Sequence, residues 1–73
     1  MRVIVSGHAR RRLQEDRQRG ISVNDIVKAV KGIPGTIPIA TRFRGFVSTN
    51  GRGFDIVAKD ILQGRLVITV IGK

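Results

Sequence analysis

The 73-residue chain has no cysteine, tryptophan or tyrosine, one histidine, two prolines and only five acidic residues. Each shortage excludes something. Without cysteine neither a disulfide framework nor a thiolate metal site can form, and a single histidine removes most imidazole-based sites, so no metal and no cofactor is expected. Without tyrosine there is no phenol to take part in proton transfer. The apolar runs Ile61-Leu62, Leu66 to Ile68 and Val70-Ile71 are too short to cross a bilayer. Arg2-Val3-Ile4-Val5 leads at once into Ser-Gly-His and an arginine cluster, where a signal peptide would carry an apolar core, so a cytoplasmic location is expected. The length argues for a single domain over residues 1–73, near the lower limit for a fold held by one hydrophobic core.

What the chain has in excess is positive charge. Fourteen Lys and Arg against five Asp and Glu give a formal net charge of +9, which favours a polyanionic partner through release of its counterions. Nucleic acid is the first candidate; the rivals are a generically soluble basic protein, an acidic protein partner and an anionic membrane surface. A membrane surface fits poorly, because the arginine-rich segment lacks the broad Trp, Phe or Leu face that an interfacial helix inserts.

The pattern of apolar residues predicts the order βααβββ. Arg2 to Val5 is a short β-prone run, and Ser6-Gly7 caps a helix that begins near His8 and ends by Gly20. In ISVNDIVKAVKG, Ser22 and Asp25 have capping-box spacing, Val23, Ile26, Val27 and Val30 recur at helical intervals, and Gly32 closes the segment. After Pro34-Gly35 the period changes to two. Ile37, Ile39, Thr41, Phe43 and Val47 share one face, and Arg42, Arg44 and Phe46 the other.

Asn50-Gly51 predicts a two-residue hairpin turn that pairs Val47 with Phe54, Gly45 with Ile56 and Phe43 with Ala58. A second turn near Gln63-Gly64 leads into LVITVI, with Val67, Thr69 and Ile71 inward and Leu66, Ile68 and Val70 outward. A strand apolar on both sides belongs inside a sheet, with Arg2 to Val5 beside it. The expected fold is α+β, with two helices on one face of a small, mainly antiparallel sheet. The outward apolar residues raise the prospect of a homodimer or a covering partner.

One set of residues carries a resemblance: His8-Ala9, Arg12, then Arg19-Gly20-Ile21-Ser22 before the second helix, and a late Val-Ile-Thr-Val strand. Together they resemble the domain of unknown function family 4258, which is similar to the RelE and BrnT toxin group, over nearly the whole chain. The Arg-Gly-Ile stands further from His8 here than in the family pattern. The resemblance implies an RNA-cleaving or RNA-binding module, often paired with an antitoxin protein.

Helical spacing of about 100° per residue lays His8, Arg12, Glu15 and Arg19 along one stripe that flanks the packed face. RNA cleavage by internal transfer needs a base for the 2′-OH, an acid for the leaving oxygen and cations at the phosphorane. His8 is the only side chain with an ordinary pKa near neutrality. The candidate catalytic residues are therefore His8, Arg12 and Glu15, with Arg12 and Arg19 holding the phosphate and Glu15 either orienting the imidazole or serving as its partner base. Equally, His8 can serve the helix start, and Glu15 can simply pair with a neighbouring arginine. Arg10, Arg11, Arg17 and Arg19 would contact phosphates, and Arg42, Arg44 and Lys59 beside Phe46 would form a second basic surface with a stacking ring.

Three functions stay open at this point. They are a metal-independent endoribonuclease of the RelE/BrnT kind, a noncatalytic nucleic-acid-binding domain, and a protein-interaction module that uses its apolar outer strand.

Overall fold

The computed structural model describes residues 1–15 and 18–73. The elements are β1 (Val3–Val5), α1 (Gly7–Arg12), α2 (Val23–Lys31), β2 (Thr41–Val47), β3 (Gly53–Ile61) and β4 (Gly64–Gly72). They form the expected α+β arrangement. The sheet order is β1-β4-β3-β2, with β1 parallel to β4 and the remaining pairs antiparallel. Strand β4 lies inside the sheet against β1, as its two-sided apolar character requires. Both helices cover one face, where Ala9, Ile26 and Val30 meet Phe54, Ile56, Ala58, Val67 and Val70 in a single core.

The first helix is shorter than its sequence suggests. Ser6 caps it, its hydroxyl accepting from the Ala9 amide (3.0 Å) and donating to the Ile68 carbonyl (2.7 Å). Arg10, Arg11 and Arg12 occupy the last turn, where cations complement the helix dipole. The helix ends at Arg12 instead of near Gly20. Beyond Leu13 the described residues Gln14, Glu15, Gln18 and Arg19 are all polar, so continued helix would have no apolar stripe to bury, and short helices need that burial. The chain turns instead. Gln18 is buried and accepts from the Gly72 amide (2.8 Å), Gly20 takes φ +86°, and Ile21 enters the core.

Helix α2 follows its sequence closely. Asp25 accepts from the Ser22 amide (2.8 Å) while the Ser22 hydroxyl accepts from the Asp25 amide (3.2 Å), closing the capping box. Ile26 and Val30 are fully buried.

Two registers differ from expectation, both because of bulges. At the β2–β3 connection, Gly51 does take a positive φ, but the loop runs from Ser48 to Arg52. The Ser48 amide donates to the Arg52 carbonyl (2.8 Å), and the Gly51 amide to the Ser48 carbonyl (2.9 Å). The pairs are Val47 with Gly53 and Phe46 with Phe54, then, past a bulge, Phe43 with Ile56 and Thr41 with Ala58. Gly45 in that bulge has φ +86°, a left-handed conformation that glycine adopts without strain. The outcome for Phe46 is a change of face. It lies on the helix-covered side, its ring 5.6 Å from that of Phe54, and not beside Arg42 and Lys59.

The second bulge is in β4, where Val57 pairs with Thr69 but Ala58 with Val67. Val67 and Val70 are therefore both in the core, and Thr69 and Ile71 share the outer face with Val57 and Asp55. This corrects the expected alternation and removes Val70 from the outward patch. Two carbonyls at the irregularity are satisfied from β1's end, Val67 by the Ser6 amide (3.0 Å) and Ile68 by the Ser6 hydroxyl (2.7 Å). A long-range contact thus compensates what the irregular ladder leaves open.

Strand β1 also constrains the β3–β4 turn. Gly64 has φ +146°, and a Cβ there would collide with the Arg2 carbonyl. Gly64→Ala is expected to destabilise the fold by about 2 kcal/mol, combining clash and backbone strain. Urea denaturation checks this. A midpoint equal to that of the unaltered protein would show that the two chain segments separate at little cost.

Candidate nucleic-acid interface

The five acidic residues decide where the positive charge is felt, and three of them are occupied by the fold. Asp25 accepts from Ser22 and also from the Thr49 amide (2.9 Å) and hydroxyl (2.8 Å). These hydrogen bonds, led by the Ser22 and Thr49 amides, hold its pKa down at about 2. Asp55 is fully buried under the outer ends of β2 and β4. Burial alone would raise its pKa, but Arg42 (2.8 Å), the Gly45 amide (3.1 Å) and Lys73 (3.1 Å) outweigh it and bring the pKa to about 2. Asp60 accepts from buried Arg65 and from the Ile37 amide (2.8 Å), which also lower its pKa.

The cations are left with few partners. Among the described residues, Arg10, Arg11, Lys28, Lys31, Arg44 and Lys59 have no carboxylate within ion-pair reach, and all six are exposed. The described aspartates are thus held within the fold, while these six bases reach solvent.

A pH dependence follows with a definite sign. A carboxylate whose folded pKa lies below its ordinary value stabilises the fold above that value and loses the contribution as the pH falls. For Asp25 and Asp55 the window runs from about 4 down to about 2. Thermal melts followed by circular dichroism should show little change between pH 7 and 5 and a steep fall below 4. Unchanged melting at pH 2.5 would contradict the assigned roles of both aspartates.

The residues singled out from the sequence fall into separate groups. His8 is exposed on the first turn of α1, and its side chain makes no hydrogen bond among the described residues. Arg12 is one turn further on, with its Nε donating to the Val70 carbonyl (2.8 Å) and its Nη1 4.0 Å from Glu15. Glu15 is exposed and lies beyond the helix end, so the stripe drawn along a longer helix is only partly realised. Arg19 is exposed, with its carbonyl accepting from Arg52 (2.9 Å), and Arg17 lies outside the described residues. Arg42 is committed to Asp55, whereas Lys59 projects from the outer face of β3, opposite Leu66.

Three clefts stand out among the described residues, and none is lined by His8, Arg12 or Glu15. Two of them adjoin. One is lined by Lys28, Phe46, Ser48 and Thr49, the other by Gly20, Asn24, Thr49 and Asn50, with Asp25 common to both. Sequence reasoning singled out Phe46 but none of the others as site residues, because α2 and the β2–β3 loop are brought together by long-range contacts such as Asp25–Thr49, which no local pattern announces. Among the described residues no group of His, Asp and Glu could hold a metal ion, and no helix is long and apolar enough to cross a membrane. Comparison with protein-family models, curated proteins and solved structures finds no match.

Proposed function

We propose that this protein is an RNA-directed module that holds the phosphate backbone on its basic surface. The observation that carries the reading is the segregation of charge: the described aspartates are hydrogen-bonded within the fold, while Arg10, Arg11, Arg44, Lys28, Lys31 and Lys59 reach solvent without an acidic partner. Such a surface gains its affinity by displacing counterions from a polyanion. Fluorescence anisotropy with a labelled single-stranded RNA tests it. Salt-dependent binding that weakens in an Arg10→Ala/Arg11→Ala variant is expected, and absence of binding at low salt would remove the proposal.

A second reading adds metal-independent cleavage of the RelE/BrnT kind, and the anchoring of Arg12 favours it. Its Nε bond to Val70 fixes the otherwise mobile side chain of a residue one helical turn on from His8, and in this pairing arginine can meet a phosphate and imidazole can move a proton. His8→Ala is then expected to lower cleavage by about 10²-fold or more with RNA affinity unchanged. Arg12→Ala should reduce both. The measurement is appearance of 2′,3′-cyclic phosphate ends on a labelled RNA in the presence of a chelator. An RNA that is bound but never cut, on or off ribosomes, leaves the binding module alone.

A further inference from the structure

The two adjoining clefts lie between α2 and the Ser48–Arg52 loop, and they join chemistry that the basic helix lacks. The floor of the first is aromatic. Phe54 is buried at 1 % exposure, while Phe46, tilted 30° against it, is only partly covered, so one ring stays available to the cleft and is backed by a second. Val47, at 69 % exposure, adds an apolar wall. The volume is about 350 Å3, room for one mononucleotide-sized group and too little for a duplex.

Polar and charged groups are arranged around that floor. Lys28 lines the cleft and Lys31 follows on the same helix, neither with a carboxylate partner. The Asp25 carboxylate also lines it, but its oxygens already accept four hydrogen bonds, from the amides and hydroxyls of Ser22 and Thr49. A phosphate would avoid that carboxylate and sit toward the lysines, whereas an uncharged base can lie beside it. The Ser48 oxygen accepts from the Arg52 amide (3.0 Å), which leaves its hydroxyl proton available. In the second cleft the side-chain amides of Asn24 and Asn50 are exposed, and such amides read base edges. Gly20, which a Cβ would bring within 3.6 Å of Arg52 and 3.9 Å of Asn50, closes that end.

We infer that this double cleft binds an unstacked nucleotide of single-stranded RNA, its base over the Phe46 ring and its phosphate toward Lys28 and Lys31, with Asn24 and Asn50 facing the next base. The inference rests on the RNA-binding reading and adds a base-contacting site to its electrostatics. Aromatic platforms of this kind accept any base through its π face, while a neighbouring cation holds the backbone. Selection of single strands follows, because a paired base cannot leave its stack to enter.

The test is an NMR titration of the isotopically labelled protein with oligoadenylate and oligouridylate octamers at low salt, paired with affinities of variants. Expected are shifts of the Phe46 ring and of the Lys28, Thr49 and Asn50 amides, and a loss of about tenfold in affinity for Phe46→Leu, the scale of one base–aromatic stack. Lys28→Glu and Asn24→Ala, at exposed positions, should weaken binding without disturbing the amide spectrum, so the outcome stands even if Phe46→Leu fails to fold. Binding that perturbs only α1 or the outer sheet face, with Lys28→Glu and Asn24→Ala at full affinity, would overturn the site and leave the RNA reading intact. No binding of either octamer at low salt would overturn both.

Discussion

Arg65→Ala is expected to cost about 3–5 kcal/mol, a large share of the 5–15 kcal/mol that holds a small domain together. Arg65 is 2 % exposed, yet its guanidinium is fully engaged. Its Nε meets Asp60 at 2.7 Å, its Nη1 donates to the carbonyls of Val30 (3.0 Å) and Ile33 (2.8 Å), and its Nη2 to the carbonyl of Gly35 (2.8 Å) and to Asp60 (3.2 Å). Those carbonyls belong to the end of α2 and the turn after it, where helix geometry leaves acceptors without intrahelical donors. One side chain therefore terminates the helix, fixes the Pro34-Gly35 turn and ties both to β4. Truncation removes a donor from three carbonyls and from the Asp60 carboxylate and opens a cavity. Arg65→Lys should recover little, because a point charge cannot serve five bonds in a planar fork. Chemical denaturation of the three proteins decides it. An alanine variant within about 1 kcal/mol of the unaltered protein would show that water replaces the network at little cost.

The affinity for RNA is expected to fall by roughly 3.5 orders of magnitude between about 50 and 500 mM salt, since engaging about five phosphates on a single strand gives a slope near −3.5 in log affinity against log salt. The exposed bases without acidic partners supply that many contacts, whereas Arg65 and Arg42 are committed inside the fold and to Asp55. Removing Arg10 and Arg11 together should reduce the slope by roughly one to two. A charge-conserving Arg42→Lys change should leave it nearly unchanged. A flat response to salt would point to recognition through apolar contact and would favour the outer sheet face as a protein-binding surface.

The distance between the sequence pattern and the structure is greatest where two elements far apart in the chain set each other's geometry. Helix α2 was legible because capping box, apolar period and closing glycine are local and agree. The β2–β3 hairpin was legible in its existence but not in its register. Thr49 is held by Asp25 from across the fold, which draws the loop wider than Asn50-Gly51 alone would make it, and the Gly45 bulge then turns Phe46 from the basic outer face to the helix side. The same limit applies to β4, where Ser6 satisfies the carbonyls at the bulge and Val70 joins the core. A period-two reading has no means to count an extra residue.

By itself, the sequence determined the α+β order of elements, the absence of thiol chemistry and the excess of positive charge, because composition and short-range periodicity depend on no partner. The tertiary structure alone decided which charges matter. It drew Asp25, Asp55 and Asp60 into hydrogen bonds that join separate segments, left Arg10, Arg11, Lys28 and Lys31 in solvent without acidic partners, and set Phe46 in a cleft beside Lys28. The reason is physical: a buried carboxylate persists only where several donors converge on it, and such convergence exists only after the chain has closed on itself.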